Sequence, residues 1–340
     1  MVYVGAAGSD NLGDRAMFQM VQSLLPSVRW IASTGAAWER RLSAMGLSGG
    51  RYFSVAVLGG GTMMNAYSES IVESLLESGT PFVSLGTGAG SGGWDLPPGY
   101  DLLNWTRLLH RFQWVTIRGP RTKRALEEAR FSAATVIGDL ALGFTKPSPT
   151  PLEARPRRLC YNLIQPHPGE RWNPNAIEAL GRALAGRARM GWEIVPFAMQ
   201  PSDRAACEAL VERHGLTART ILQPTSGWQI VDMLERASIV ISMRLHGAVF
   251  AAAAGAPVVS LGYLAKCNDF MESVGAGDAL LPVDVAGTTA AILERLEERI
   301  AWAVEHAADV HGRALAHAHE IEKRVTQVGA LAVQPRAYPR

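Results

Sequence analysis

The sequence predicts an α/β protein built from two doubly wound domains. Short apolar runs alternate with longer segments of helical periodicity over most of the chain. The alternation stops once, at a cluster of prolines, and then restarts. At 340 residues the chain is also too long for most single cores, because chains beyond roughly 250–300 residues usually divide.

In the first half, strand-like runs stand at Val2–Gly5, Val55–Leu58, Phe82–Leu85, Trp114–Ile117 and Thr135–Ile137. Helical patterns lie between them at Ala16–Leu25, Ser70–Glu77, Leu102–Arg111 and Arg121–Ala129. Strands alternating with helices imply βαβ units and a parallel sheet. The polar stretch Lys146–Pro151, extended by Pro156, is proline-rich. Proline lacks an N–H and can neither continue a helix nor join a ladder. Residues 146–158 are therefore expected to link an N-terminal domain, residues 1–145, to a C-terminal domain, residues 159–330.

The second half repeats the pattern. Strands are expected at Leu159–Ile164, Glu193–Phe197, Ser238–Ser242 and Pro257–Leu261, with helices at Asn175–Arg189, Arg204–His214 and Ala248–Ala254. Two such Rossmann-like halves place their strand C-termini around a shared cleft, where doubly wound sheets bind ligands. From Thr288 to about Val328 the chain reads as a long helical segment with a break at Gly312. Ile292, Leu296, Ile300 and Val304 give it one apolar stripe. Packing against a domain is the plain reading of that stripe, and contact with a membrane surface the sharper one. Residues 331–340 read as a loose tail.

Composition narrows the function classes. A net charge of +2 sets up no strong whole-molecule field, so nucleic-acid binding, which needs a basic stripe, is disfavoured. The three cysteines Cys160, Cys207 and Cys267 form no CxxC pair, and an odd number argues against a disulfide framework. No basic region with an apolar core precedes the first strand, and the most apolar stretch, Ala248–Leu261, is interrupted by Gly255 and Pro257. It falls short of the about 18 apolar residues of a spanning helix. A cytoplasmic protein without a transmembrane segment is expected.

Five segments stand where a strand ends and a loop or helix begins. In Gly8–Asp14 the glycines allow a tight turn. A carboxylate at Asp14 complements the helix dipole and would repel a phosphate, so the loop suits a hydroxyl-rich ligand; Asp14 as a plain helix cap is the alternative. Gly59-Gly60-Gly61-Thr62 leaves bare backbone at a sheet edge, for a ligand or for a tight turn. Gly88, Gly90 and Gly93 match GxGxxG, but Trp94–Pro98 follows instead of a helix, so a dinucleotide site is not expected. In Ile117–Thr122, Arg118 ends a strand and Pro120 suits a first helical position. An arginine beside a helix N-terminus fits a phosphate or carboxylate. The fifth segment, Ser242–Gly247, puts Arg244 and His246 after the apolar run Ile239–Ile241. Arg244 offers a five-donor fork for an anion, and His246 can exchange a proton near neutral pH. A core histidine bonded to a carbonyl is the alternative there.

The turn Asn11–Asp14, Gly59–Thr62, the arginine of Ile117–Thr122, Gly138-Asp139, Ser242–Gly247, and Tyr263 followed by Lys266 together resemble the polysaccharide pyruvyl transferase family. The resemblance covers roughly residues 5–270, and Arg244-Leu245-His246-Gly247 is its most specific part. It implies a glycosyltransferase-B-like fold, phosphoenolpyruvate as donor, and a pyruvate ketal formed on a glycan. It places Arg118, Arg244, Leu245 and His246 around the donor, with Asn11, Asp14, Gly60, Gly61 and Lys266 as further site candidates. His246, Arg244 and Asp14 are the expected catalytic set: His246 as general acid, Asp14 orienting or deprotonating a sugar hydroxyl. No cofactor and no metal are expected, only phosphoenolpyruvate and a sugar acceptor, free or lipid-linked or nucleotide-linked. Two rivals remain, a nucleotide-sugar glycosyltransferase and a noncatalytic glycan-binding protein. The first usually grips ribose through a glutamate where this chain has Phe250.

Overall fold

The computed structural model describes residues 1–33, 53–89, 102–165, 172–217 and 220–333. Gly90 and Gly93 of the GxGxxG match, Trp94–Pro98 and the C-terminal end of the expected tail lie outside the described residues. The elements run β1 (Val2–Val4), α1 (Leu12–Leu24), β2 (Ile31–Ser33), β3 (Ala56–Leu58), β4 (Gly61–Met64), α2 (Ala66–Glu77), β5 (Phe82–Ser84) and β6 (Thr87–Ala89). Then come α3 (Leu102–Leu109), β7 (Val115–Ile117), α4 (Pro120–Glu128) and β8 (Ala134–Val136), followed by 3₁₀ turns at Leu140–Phe144 and Leu152–Ala154. The later elements are β9 (Arg158–Asn162), α5 (Pro174–Arg189), β10 (Glu193–Pro196), α6 (Asp203–His214), α7 (Gly227–Leu234) and β11 (Ile239–Ser242). α8 (Leu245–Ala253), β12 (Val258–Gly262), α9 (Ala265–Ser273), β13 (Leu280–Pro282), α10 (Thr289–Glu305) and α11 (Ala307–Ala332) complete the chain.

All strand pairs are parallel, in the orders β2-β1-β3-β5, β4-β6-β7-β8 and β10-β9-β11-β12-β13. A bridge between Val83 and Trp114 joins the first two sheets. Parallel strands are covered by helices on both faces and read as unbroken apolar runs. β1, β3, β5 and β11 are accordingly buried throughout. α8 is buried on every side, as a helix apolar all round must be. One core cluster belongs to the N-terminal half alone. The other runs from Tyr3 and Leu12 through the C-terminal half to Val328.

The proline-rich stretch is tied to the C-terminal half. Lys146 pairs with Asp232 and Glu235, and Arg155 donates to the carbonyls of Thr150 and Ala237.

Two expectations for the C-terminal helices change. The helix runs through Gly312 unbroken, and the break falls at His306, between α10 and α11. There the imidazole stacks on Trp302 with ring centroids 4.2 Å apart. The apolar stripe of α10 ends on buried Ala303, leaving Val304 exposed, because four-residue steps outrun a 3.6-residue turn. α11 crosses back to pack on the 140–144 turn, on α8 and on α1.

Candidate active site

The turn between β11 and α8 is built around a buried carboxylate. Asp203, fully buried at the start of α6, accepts from Asn162 Nδ2 at 3.2 Å and from the Met199 N–H at 3.0 Å. It also takes the Arg244 fork, with Nη2 at 2.6 Å and Nε at 3.1 Å from Oδ1. Asn162 Oδ1 accepts the Arg244 backbone N–H at 3.2 Å. Arg244 and His246, both expected around the donor, are set apart by this turn. Arg244 is the N-cap residue and the helix opens at Leu245. The two side chains therefore diverge: Arg244 turns to α6, and His246 turns to the N-terminal half. Leu245 is buried in the core.

His246 meets the first turn of α1. A Cβ on Gly13 would lie 2.0 Å from its Nδ1 and Cγ, so only glycine admits the ring. Nε2 lies 3.6 Å from Oδ2 of Asp139, which follows Gly138 at the end of β8. Burial pushes the imidazole below its ordinary pKa; Asp139 and Asp14 pull it up, and Lys266 and Arg118 push it further down. Those four charges thus surround one buried imidazole. Asn11, not Asp14, caps α1, its side-chain oxygen accepting from the Gly13 N–H at 2.9 Å. Asp14 is left in the first turn, half-buried and unneeded as a cap.

The glycine run after β3 is filled by the protein's own side chains. A Cβ on Gly60 would lie 2.4 Å from Met17 Sδ, and its N–H donates to the Tyr3 hydroxyl at 3.2 Å. Gly60 thus leaves no room for a side chain beside Met17. Gly61, with φ 95°, starts the unexpected strand β4.

Arg118 ends β7 and is 1% exposed. Its Nε is 3.7 Å from Asp269 Oδ2, and neither Nε nor Nη1 has a hydrogen-bond partner. Buried polar groups are nearly always partnered, and a guanidinium with two donors unused by protein suits an anionic ligand. It opens on a cleft of about 350 Å³ lined also by Arg121, Arg124, Lys266 and Asp269. Lys266 stands in the first turn of α9, its Nζ 5.7 Å from the Tyr263 ring centroid.

The α4 N-terminus, expected to receive a donor anion, already carries one. Asp269 accepts from the Arg121 N–H at 2.8 Å, the Thr122 N–H at 3.2 Å and the Thr122 hydroxyl at 2.8 Å. Glu272 adds ion pairs to Arg121 and Arg124 at 2.7 and 2.9 Å. These contacts join α9 to α4 across the two halves. Arg118 and Lys266 thus share one cleft, the buried His246 feels the charges of both and of Asp14, and Arg244 is engaged by Asp203. Asp139, Asp203 and Asp269 were missed as site residues. Only Asp139 carried a local signal, its place after a glycine at a strand end.

Two parallel-sheet halves with charged side chains gathered between strand ends define a glycosyltransferase-B-like protein. A model of the family described as polysaccharide pyruvyl transferase matches residues 11–264, and the chain belongs to that family. It is thus a transferase of pyruvyl groups to polysaccharide in the family's broad sense. Comparison with curated proteins gave no match. Among solved structures it resembles a sucrose-phosphate synthase from Thermosynechococcus elongatus, with TM-score 0.58 and 13% identity over 97% of this chain and 98% of that one. It also resembles a glycosyltransferase from Rickettsia africae, with TM-score 0.53 and 11% identity over 98% of each chain. At such identity the likeness is one of fold alone.

Proposed function

We propose that the chain transfers pyruvate from phosphoenolpyruvate to two hydroxyls of one sugar in a glycan or glycan precursor. The product is a pyruvate ketal, and phosphate leaves. The observation that carries this reading, beside the family, is Arg118 with two idle buried donors on a cleft shared with Lys266. A donor bearing both a carboxylate and a phosphate matches two cations on one wall. The reaction needs a proton at the C3 methylene and cationic character at C2, to which the two hydroxyl oxygens add in turn. His246, in the field of Arg118 and Lys266, is the general acid of this reading. A bound anion at those cations would offset their push on the imidazole, so donor binding would itself favour the protonated ring. In this reading Asp14, half-buried in the first turn of α1, holds an acceptor hydroxyl. Against the glycosyltransferase rival, Phe250 is fully buried against Phe144 and offers no grip on a ribose.

The test is phosphate release from phosphoenolpyruvate with and without candidate sugars, with mass spectrometry of the products. Arg118→Gln should weaken phosphoenolpyruvate binding at least about tenfold, since a charged hydrogen-bond partner is worth about 1.5–3 kcal/mol. Unchanged calorimetric affinity in the folded variant would remove Arg118 from the site.

A further inference from the structure

We propose that Asp139 is a positioning residue that holds His246 by its Nε2 side and keeps the ring able to carry a proton, acting through the histidine without touching substrate. The inference rests on the reading of His246 as the general acid. It starts from two orphaned atoms: Oδ2 of Asp139 and Nε2 of His246 are both buried, both lack a hydrogen bond, and face each other at 3.6 Å. That distance is too long for a hydrogen bond, yet each atom is the other's charge-complementary neighbour. A buried acceptor without a donor is costly, so a carboxylate kept this way has a use outside its own turn.

Its placement is over-determined. Oδ1 accepts the Ala141 N–H at 3.0 Å and caps the 140–144 turn. Gly138 takes φ 88°, and a Cβ there would lie 2.8 Å from Cγ of His317 on α11. His317 is itself anchored, Nε2 to the Ser273 carbonyl at 3.0 Å. The C-terminal helix therefore backs the turn that aims Asp139 at His246. From the opposite side the ring is stopped by Gly13, which faces Nδ1. The charges around it are Asp139 from the end of β8, Asp14 on α1, Lys266 on α9 and Arg118 from β7. Of the two carboxylates only Asp139 makes an ion-pair contact with the ring. Burial and the two cations work against protonation, and Asp139 is the direct counterweight. With the carboxylate at Nε2, the neutral ring keeps its hydrogen on Nε2, and a second proton goes to Nδ1, the nitrogen that faces Gly13.

The test reads the imidazole itself. Nitrogen-15 histidine NMR of the full chain, with no sugar or donor present, gives the tautomer and proton affinity of His246, whose signal is assigned by its loss in His246→Gln. Asp139→Asn keeps the cap acceptor and removes the charge. We expect at least a tenfold drop in the proton affinity of His246, and an alkaline limb of turnover displaced to lower pH by the same factor. Asp139→Ser also keeps a cap oxygen and should show the same drop, which covers misfolding of the first variant. An unchanged proton affinity in either folded variant, or an Nδ1–H tautomer in the wild type, would overturn the proposal. Because the titration needs no substrate, it can succeed while the phosphoenolpyruvate reading fails.

Discussion

Gly13 and His246 share a surface that leaves no room for a methyl group: a Cβ on Gly13 would fall 2.0 Å from the ring. Gly13 is the second residue of α1. Helix propensity alone predicts that Gly13→Ala stabilises by about 1 kcal/mol. The contact predicts the reverse, because the ring is packed and cannot swing away as a flexible chain end would. Gly13→Ala should lower the midpoint of thermal unfolding and cut turnover at least about tenfold. A stabilised variant of normal turnover would show that His246 is free to move.

Arg244→Ala tests the turn rather than the donor site. It would leave Asp203, fully buried, without its cation while keeping two hydrogen bonds from Asn162 and Met199. Removing one partner of a buried pair costs about 3–5 kcal/mol, and urea unfolding should show the lower end of that range. Adding Asp203→Asn should recover part of the loss, since the orphaned charge is then gone. Equal instability of single and double variants would mean that packing, not charge, holds the turn.

Asp269 occupies the α4 N-terminus, where the sequence led to the expectation of a ligand anion, and it lies 3.7 Å from Arg118. Two charges about 4 Å apart interact by about 4 kcal/mol at the effective dielectric of a protein surface, and part of that is lost when Asp269 becomes neutral. Asp269→Asn keeps an acceptor for the Arg121 and Thr122 N–H groups and frees the field of Arg118. Inorganic phosphate and phosphoenolpyruvate should bind at least about tenfold tighter by calorimetry. Weaker binding would assign Asp269 to the donor machinery itself.

These contacts show which parts of the molecule could be read from sequence. Buried parallel strands such as β3 and β11 are unbroken apolar runs and stand out locally. β4 and β6 were missed because Gly61 and Gly88 break such runs, and α7 because it opens on Gly227 with only Ser226 as a cap signal. Arg118 and His246 were legible as polar residues next to apolar strands. What they contact was not. Asp269 caps a helix 148 residues away, and no local pattern records a pairing made by the packing of two halves. The divergence of Arg244 from His246 was hidden for a related reason: where β11 stops and α8 starts depends on Asn162 and Asp203 holding the turn.

The protonation of His246 is linked to the stability of the fold. Burial lowers its pKa in the folded protein, while the unfolded chain titrates near the ordinary value of about 6.5. As pH falls below about 6.5 the unfolded state takes up a proton that the folded state still refuses. Stability therefore falls with falling pH, by at most about 1.4 kcal/mol per pH unit for one group. The penalty levels off once the folded ring is protonated too. His246→Gln keeps similar size and cannot take that proton. Its unfolding free energy in urea should be flatter than that of the wild type between about pH 5 and 7, the difference appearing only below about 6.5. Phosphoenolpyruvate should flatten the wild-type curve in the same window, because a bound anion lets the folded ring accept the proton. The same variant should keep donor affinity within a few fold and lose about 100-fold or more in turnover, the lower end of general acid–base contributions. Parallel pH curves for wild type and variant, with turnover retained, would make His246 a packing residue and move the search for the acid to Lys266, on the wall of the cleft beside Arg118.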